Sequence, residues 1–315
     1  MKRNLLLFGV AFLALSVSAQ SAPAGAVNGL FSVAENKQVF FSQGNLQYQA
    51  STDTWRFAEN QYDTIGMANA NVADAYDGWI DLFGWGTGDN PTKMSEEDDY
   101  SSFTEWGNNP VSNGGNTSGL WRSMSKDEFV YLFHERANAE NLFGLGSVNG
   151  VYGLIVLPDA WVLPEGSSFV PSTTKGLVWD EKTKYYYNEG HSNYEHNTYT
   201  VEQWSLLQSN GAVFLPAAGI RWDTDQYDTQ NAGYYWASTK VNSMFCYYVY
   251  FDWDNFYPQA FEDPFKAFSV RLVQEFVPSS VSAATEDIPA LKVVRNGQVL
   301  VLRNGKTYSV TGVEL

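Results

Sequence analysis

Two pairs of aspartates in the second half of the chain could supply acid–base chemistry. Asp223 lies two residues before Asp225, and Asp252 lies two residues before Asp254. Glycoside hydrolysis uses two carboxyl groups about 5 to 10 Å apart, one as the general acid and the other as the nucleophile or base. Because the chain has 35 acidic residues, pairs at that spacing are also expected by chance. A surface glycan hydrolase that uses Asp223 or Asp252 is therefore an alternative hypothesis, and we assign no catalytic residue from the sequence.

Other residue types that serve metal or nucleophilic chemistry are sparse or wrongly spaced. His191 and His196 are five residues apart, whereas a helical zinc pair is spaced i, i+4. Residues 95–99 carry four acidic side chains, but they lack the spacing of a Ca²⁺-binding EF-hand and are typical of a solvated loop. The sequence has no nucleophile elbow, P-loop or dinucleotide-binding motif. We therefore expect neither a metal ion nor a cofactor.

The strongest functional signal is the density of aromatic residues, mixed with Asp and Asn, within residues 233–274. If residues 246–252 form a strand, alternate side chains point to opposite faces of its sheet. Tyr247, Val249 and Phe251 then form the core face. The opposite face and the neighbouring segments would form a ligand-binding surface, whose predicted members are Trp222, Asp223, Asp225, Tyr227, Tyr248, Tyr250, Asp252, Trp253, Asp254, Phe256 and Tyr257.

Two interpretations of this surface follow from its composition. Rigid amphipathic rings interleaved with short polar groups give a large contact area at a low entropic cost, as in antibody paratopes. The same composition can stack on sugar rings. The structural alternative is that most of these rings fill gaps beneath long loops. The first interpretation predicts a surface that binds an extracellular protein or glycan.

Two helices have clear start signals. Ser125 and Glu128 form a capping-box pattern, in which the serine caps the first turn and the glutamate bonds back to the cap. The apolar spacing that follows predicts an amphipathic helix ending near residue 138. Thr200 and Gln203 repeat the pattern. The sequence therefore predicts two main helices.

Strands are expected around these helices. Residues 29–58 alternate well enough to form a β-ribbon, and residues 148–161 follow an Asn-Gly turn into a buried strand. Residues 212–219 are apolar throughout and predict a central strand. Residues 58–120 lack periodicity and predict long packed loops. Residues 291–315 contain two Asn-Gly turns, which predict a three-stranded meander.

The first residues have the pattern of an export signal. Lys2 and Arg3 precede an apolar run over residues 5–15, and a small-residue cleavage site follows at residues 17–19. The apolar run is shorter than the roughly 20 residues of a membrane-spanning helix, and no later segment reaches that length. We therefore expect an exported protein without a transmembrane span, placed in the periplasm, on the outer-membrane surface or outside the cell.

These patterns predict five segments. Residues 1–19 are the signal peptide, residues 20–28 a spacer, residues 29–275 one large domain, residues 276–290 a linker and residues 291–315 the C-terminal meander.

The net charge disfavours two classes of partner, and the cysteine content excludes an internal disulfide. The formal net charge is −16, and loss of Lys2 and Arg3 with the signal peptide would make it −18. Such a surface repels phosphate backbones and anionic lipids, which disfavours nucleic-acid and membrane-surface binding. The single Cys246 cannot form an internal disulfide. The 11 Trp, 19 Tyr and 20 Phe residues must supply much of the stability through packing.

A series of short motifs resembles a large group of exported Bacteroidales proteins, which are related to the Fibrobacter succinogenes major paralogous domains and, more distantly, to formylglycine-generating-enzyme-like domains. The motifs are Phe41-Ser-Gln-Gly-Asn-Leu-Gln-Tyr48, Gly78-Trp-Ile-Asp-Leu-Phe-Gly-Trp-Gly86, Leu120-Trp-Arg122, Val148-Asn-Gly150, Leu157-Pro-Asp159, Gly211-Ala-Val-Phe-Leu-Pro-Ala-Ala-Gly219, Tyr234-Tyr-Trp-Ala-Ser-Thr239 and Phe268-Ser-Val-Arg-Leu-Val273. The resemblance covers residues 29–275 and rests on the joint order of these motifs.

This resemblance implies an α+β, C-type-lectin-like fold with two main helices, a mixed or antiparallel sheet and long loops. Its first and last strands would pair. Some members of the superfamily are targets of diversity-generating retroelements, which implies a constant scaffold at residues 234–239 and 268–273 and a variable surface at residues 248–257. The segment after Pro289 is similar to a C-terminal hairpin of exported Bacteroidales proteins, which implies a sorting or anchoring tail.

Two departures limit what the resemblance implies. The formylglycine-generating enzymes depend on a pair of cysteines, whereas this chain has only Cys246. The Glu-Pro-Asn and Trp-Asn-Asp motifs of calcium-dependent sugar-binding lectins are also absent from the sequence. Neither oxidase activity nor calcium-mediated sugar binding is therefore implied.

The leading hypothesis is an exported or cell-surface binding protein without catalytic activity, whose partner is an extracellular protein or glycan. The alternatives are the surface hydrolase and a structural cell-surface component in which the tail matters most. The sequence indicates neither the identity of the ligand nor the oligomeric state.

Overall fold

The computed structural model describes residues 22–278, 291–295, 298–303, 306–309 and 315. The chain divides into two compact units, Met1–Phe276 and Val277–Leu315. The predicted signal peptide lies outside the described residues, as does most of the predicted linker.

Short strands form most of the regular structure of the first unit. In chain order they are β1 (Phe31–Ala34), β2 (Lys37–Phe41), β3 (Leu46–Gln49), β4 (Thr54–Phe57), β5 (Leu82–Phe83), β6 (Phe143–Val148), β7 (Val151–Val156), β8 (Leu177–Asp180), β9 (Tyr185–Asn188), β10 (Thr198–Tyr199), β11 (Val213–Pro216), β12 (Ile220–Trp222), β13 (Asp225–Tyr227), β14 (Gly233–Lys240), β15 (Cys246–Phe251), β16 (Asn255–Glu262), β17 (Phe268–Ser269) and β18 (Val273–Glu275).

The helices are short. They are α1 (Lys126–Val130), which continues as a π-helical turn (Tyr131–Glu135), and α2 (Val201–Ser209). Single 3₁₀ turns occur at Ala50–Thr52, Gly66–Ala70, Trp106–Asn108, Ala139–Asn141, Ser172–Lys175 and Tyr194–His196. In the described part of the chain, no helix is both long and apolar enough to span a bilayer.

Both predicted capping boxes are confirmed. Ser125 and Glu128 exchange side-chain and backbone hydrogen bonds at the start of α1, and Thr200 and Gln203 do the same at α2. The first helix is shorter than predicted, because its last turn widens into the π-helical turn and ends before Arg136. The predicted α+β class with two helices is confirmed.

A mixed seven-stranded sheet organises the first unit. Its strand order is β5-β17-β14-β15-β16-β9-β8, in which only β14 and β17 run parallel. A four-stranded sheet has the order β10-β6-β7-β11, and a three-stranded sheet has the order β1-β2-β18. The pairing of β18 with β2 joins the two ends of the unit.

The packed unit also begins earlier than predicted. Val27, placed in the predicted spacer, is buried in the core, and its N–H donates to the carbonyl of Phe41 at 2.9 Å. At the other end, the ring of Phe276 lies 5.9 Å from that of Phe40. Residues on both sides of the predicted domain limits therefore belong to the fold.

Both faces of the large sheet carry core side chains. On one face, Tyr235, Val249 and Phe251 belong to the cluster that contains Phe129 and Phe133 of the first helix and its π-helical turn. On the other face, the cluster includes Trp236, Tyr248 and Phe268 from the sheet, Trp55 from β4, and Trp85, Trp106 and Trp121 from long loops. The irregular residues 58–120 are thus packed loops that cover part of the second face.

The second unit contains three strands, β19 (Leu291–Arg295), β20 (Gln298–Arg303) and β21 (Lys306–Ser309). They pair antiparallel in sequence order and form a small meander.

Candidate functional site

Five partly exposed tyrosines form a continuous row across the second face of the large sheet. We call them the tyrosine row: Tyr234 on β14, Tyr250 on β15, Tyr257 on β16, and Tyr185 and Tyr187 on β9. Ring centroids are 5.1 Å apart for Tyr234 and Tyr250, and 5.5 Å apart for Tyr250 and Tyr257. Tyr257 lies 4.3 Å from Tyr185 and 5.9 Å from Tyr187. Aromatic pairs at these separations attract each other, so the row is ordered before any ligand arrives.

Strand alternation sets the direction of these rings. Tyr250 pairs with Tyr257, and Phe251 pairs with Phe256, across the β15–β16 hairpin. Successive side chains of a strand point to opposite faces. The phenylalanines therefore enter the core while the tyrosines emerge on the other face. The predicted core orientation of Val249 and Phe251 is confirmed.

Three hydroxyl groups of the tyrosine row have fixed acceptors. The hydroxyl of Tyr250 donates to Asp252 Oδ2 at 2.5 Å, and that of Tyr234 donates to Asp228 Oδ2 at 2.7 Å. The hydroxyl of Tyr257 donates to Asn255 Oδ1 at 2.8 Å. Because each phenol uses its proton within the protein, its oxygen presents acceptor lone pairs to the outside.

Three tyrosines of the row stay uncharged over the physiological pH range. Burial and the Asp228 carboxylate hold the pKa of Tyr234 well above its ordinary value. Burial and the bond to Asp252 do the same for the pKa of Tyr250, and burial raises the pKa of Tyr257. A ligand would therefore meet neutral rings beside negative carboxylates.

Asp252 supports the turn between β15 and β16. Its Oδ1 accepts from the backbone N–H groups of Asp254 at 2.7 Å and Asn255 at 2.6 Å, while Oδ2 accepts from Tyr250. Its carboxylate is thus bound by donors from the protein itself. Partial desolvation and the charge of Asp252 raise the pKa of neighbouring Asp254.

The structure corrects two members of the predicted binding surface. Phe256 is 0 % exposed and packs in the core cluster of α1, so no ligand can reach it. Tyr248 is 8 % exposed, and its ring lies 4.8 Å from that of Phe268. It points to the expected face, but the rings of Trp236 and Phe268 pack against it. Tyr248 therefore serves the core, as the structural alternative has it.

Four other predicted residues lie on a separate hairpin formed by β12 and β13. Trp222 and Tyr227 are about half exposed, and Asp223 occupies the turn with a φ of 54°. Lys266 Nζ lies 5.1 Å from the Trp222 ring centroid, and the Tyr227 hydroxyl lies 3.5 Å from Asp225 Oδ2. Among the described residues, no hydrogen bond or ring contact joins these four side chains to the tyrosine row.

Trp253 and Asp254 lie in the turn at the end of the β15–β16 hairpin. Trp253 is 53 % exposed, and its backbone carbonyl accepts from Asn188 Nδ2 at 3.1 Å. The N–H of Asn188 donates to the carbonyl of Asp254 at 3.1 Å. The turn is therefore attached to β9 by two hydrogen bonds from Asn188, while the Trp253 indole is exposed.

Sequence reasoning missed several residues of this surface. Tyr234 was assigned to the scaffold, and Asp228, which links the β12–β13 hairpin to Tyr234, was not considered. Tyr185 and Tyr187 were also not considered. A sequence pattern could have identified these two tyrosines. Their rings are spaced i, i+2 in a β-rich run, and the run follows the polar turn of residues 180–184, as in a β-hairpin.

In the described residues, no group of three or more His, Cys, Asp or Glu side chains is arranged to hold a metal ion. Comparison with known proteins gives no match to a family model, a curated protein or a solved structure. The chemistry of the surface itself therefore indicates what it could bind.

Proposed function

We propose that this protein is an exported binding protein without catalytic activity, which presents the tyrosine row to an extracellular glycan or protein. The observation that carries the proposal is the row itself: five neighbouring rings are partly exposed, and three of their hydroxyl groups are fixed by Asp or Asn. Buried rings used only for packing would not need to continue to the solvent. Preorganised rings lose little entropy when a ligand binds.

The proposed fold is C-type-lectin-like. Support comes from the pairing of β18 with β2 and from the long loops over a mixed sheet. The motifs that carry the family resemblance also bond to one another. Asn45 Nδ2 donates to Tyr235 Oη at 3.2 Å and to Ser269 Oγ at 3.3 Å, and buried Arg271 donates to the carbonyl of Phe214.

The proposed location is the periplasm, the outer-membrane surface or the extracellular space. This part of the proposal rests on the basic residues, apolar run and small-residue cleavage site in residues 1–19. A sorting or anchoring role for the C-terminal meander belongs to the same proposal.

The hydrolase alternative has less support than binding. Asp252 is engaged by two backbone N–H groups and a phenol, as expected of a residue that stabilises a turn. Asp223 lies on the other hairpin. The alternative of a structural cell-surface component stays a hypothesis, since no described feature favours it.

An array of glycans and extracellular proteins tests the proposal. The full chain should bind a defined subset, and a bound glycan incubated with the protein should release no new reducing ends. The absence of binding to every array member would overturn the proposal. Release of reducing ends that Asp252→Asn abolishes would establish the hydrolase instead.

A further inference from the structure

A cleft of about 290 Å³ lies beside the turn of the β15–β16 hairpin. Its lining residues are Tyr152, Asn193, Tyr194, Glu195, Gln230, Asn231 and Trp253. Of these, only Trp253 belongs to the surface predicted from the sequence. Ligand pockets for drug-sized molecules have volumes of about 300 to 1,000 Å³, so this cleft suits one small ring.

Two of the aromatic side chains form a fixed platform. The rings of Tyr152 and Tyr194 stack at 4.8 Å with an interplanar angle of 7°. Tyr194 is buried, and its hydroxyl donates to the carbonyl of Asn231 at 2.8 Å. Tyr152 is 38 % exposed. The stack is therefore anchored from below and offers a flat apolar surface at the cleft, with the exposed Trp253 indole as a second wall.

The polar side chains of the cleft supply both donors and acceptors. Gln230 Oε1 accepts from the N–H of Tyr152 at 3.1 Å, which leaves its amide Nε2 for a ligand. Asn193 Oδ1 accepts from the N–H of Glu195 at 2.8 Å, which likewise leaves an amide donor. The exposed Glu195 carboxylate accepts none of the described hydrogen bonds. Neighbouring hydroxyl groups of a sugar both donate and accept, and match such a mixed set.

The charge of the cleft selects among sugars. Glu195 is the charged residue in the lining, and Asp252 is near enough to raise the pKa of Tyr194 after the larger effect of burial. No lysine or arginine lines the cleft. A uronic acid or a sulfated sugar would bring a second negative charge to this site, which is unfavourable.

We propose that the cleft is a subsite for one neutral pyranose residue of a glycan, with its ring against Tyr152 and Trp253 and its hydroxyl groups at Glu195 and Gln230. This inference rests on the proposed binding function and deepens it by naming the ligand class. The tyrosine row and the cleft both adjoin the β15–β16 hairpin, at Tyr250 and Trp253.

The test uses matched pairs of variants and a microarray of neutral and anionic glycans. Trp253→Ala should weaken binding of the brightest neutral glycan by about tenfold, whereas Trp161→Ala, outside the cleft, should not. Glu195→Gln should weaken binding by about tenfold through loss of a charged acceptor. Glu189→Gln is the control for Glu195→Gln, because Glu189 is also an exposed glutamate and lies just upstream in the chain.

The outcomes separate the cleft from the proposed function. Unchanged affinity in both Trp253→Ala and Glu195→Gln, with the variants folded by circular dichroism, would overturn the cleft assignment. If the Tyr187→Ala/Tyr257→Ala variant then still lost binding, the function proposal would stand without the cleft. A preference for anionic glycans, or binding to array proteins only, would also overturn the inference. A wild-type chain that binds nothing on either array would remove the function proposal itself.

Discussion

The hydroxyl groups of the tyrosine row separate it from an ordinary patch of packed rings. Tyr234, Tyr250 and Tyr257 each donate to an acidic or amide side chain on the same surface. Fixing the phenols in this way removes rotational freedom before a ligand binds, which lowers the entropic cost of association. The aspartates of this region therefore serve to orient aromatic side chains.

Asp252 provides a direct test of that role. Replacing Asp252 with Ala should lower the free energy of unfolding by about 1 to 2 kcal/mol, because two turn N–H groups and one phenol lose their acceptor. Asp254→Ala is the matched control, since the Asp254 carboxylate accepts none of the described hydrogen bonds. Urea denaturation compares the two. Equal midpoints for both variants would mean that Asp252 does not support the turn.

A second residue, Asp81, makes stability depend on pH. Its carboxyl is buried immediately before β5. Burial raises its pKa to about 6, although hydrogen bonds from Asn69 and from the N–H of Ile65 act in the opposite direction. The folded state holds this proton more tightly than the unfolded chain. The stabilisation is therefore full below the ordinary value of 3.8 and is lost as the pH rises through about 6.

The difference in the free energy of unfolding between the wild type and Asp81→Asn isolates this contribution of Asp81. Between pH 4 and pH 7 the wild type should lose about 2 kcal/mol more stability than the variant. Denaturant unfolding at a series of pH values provides the measurement. Parallel profiles over that interval would show that Asp81 does not titrate as its burial requires.

At the scale of elements, an ion-pair network secures the first helix. Glu128 completes the capping box and also bonds to Arg122 at 2.8 Å and to Lys37 at 3.0 Å. Burial alone would raise the pKa of Glu128, but these bonds outweigh burial and lower it. Its stabilising effect is therefore present above pH 4.5 and is lost as the pH falls through the folded value.

Glu128→Gln should destabilise the protein by about 1 to 3 kcal/mol at neutral pH, because it leaves the partly exposed cations of Arg122 and Lys37 with a weaker partner. Asp127→Asn, one residue earlier on the exposed side of α1, should change stability by less than about 0.5 kcal/mol. Thermal unfolding of both variants compares them. A larger loss in Asp127→Asn would contradict the assigned role of Glu128.

Local patterns predicted some elements well. The capping boxes at Ser125 and Thr200 identified both helix starts, since each depends on residues three apart. Alternation in residues 246–252 placed Val249 and Phe251 in the core. The burial of Tyr248 could not be predicted in the same way, because it depends on the pairing of separate strands that brings the rings of Trp236 and Phe268 against it.

Strand register explains the error at Phe256. The predicted ligand-binding surface included both Phe256 and Tyr257, whereas β16 begins at Asn255 and pairs Phe256 with Phe251. Once that pairing is set, alternation sends Phe256 to the core and Tyr257 to the surface. The same long-range pairing brings Tyr185 and Tyr187 to the row through β9.

For the whole molecule, the large sheet separates two functions of aromatic residues. One face and the loop-covered half of the other supply the core, and the uncovered part of the second face carries the tyrosine row. In addition, the formal net charge of −16 disfavours the binding of polyanionic partners. The fold thus leaves one continuous row of partly exposed rings on this sheet, while single exposed rings such as Trp222 and Phe261 lie outside the row.

The most direct test of the central claim is the affinity of the array member that binds the wild type most strongly, measured by isothermal titration calorimetry. The variants are Tyr187→Ala/Tyr257→Ala in the tyrosine row and Tyr247→Ala on the opposite face of β15. The row variant should lose affinity by about tenfold or more, while Tyr247→Ala should bind as the wild type does. A folded row variant with wild-type affinity would contradict the account.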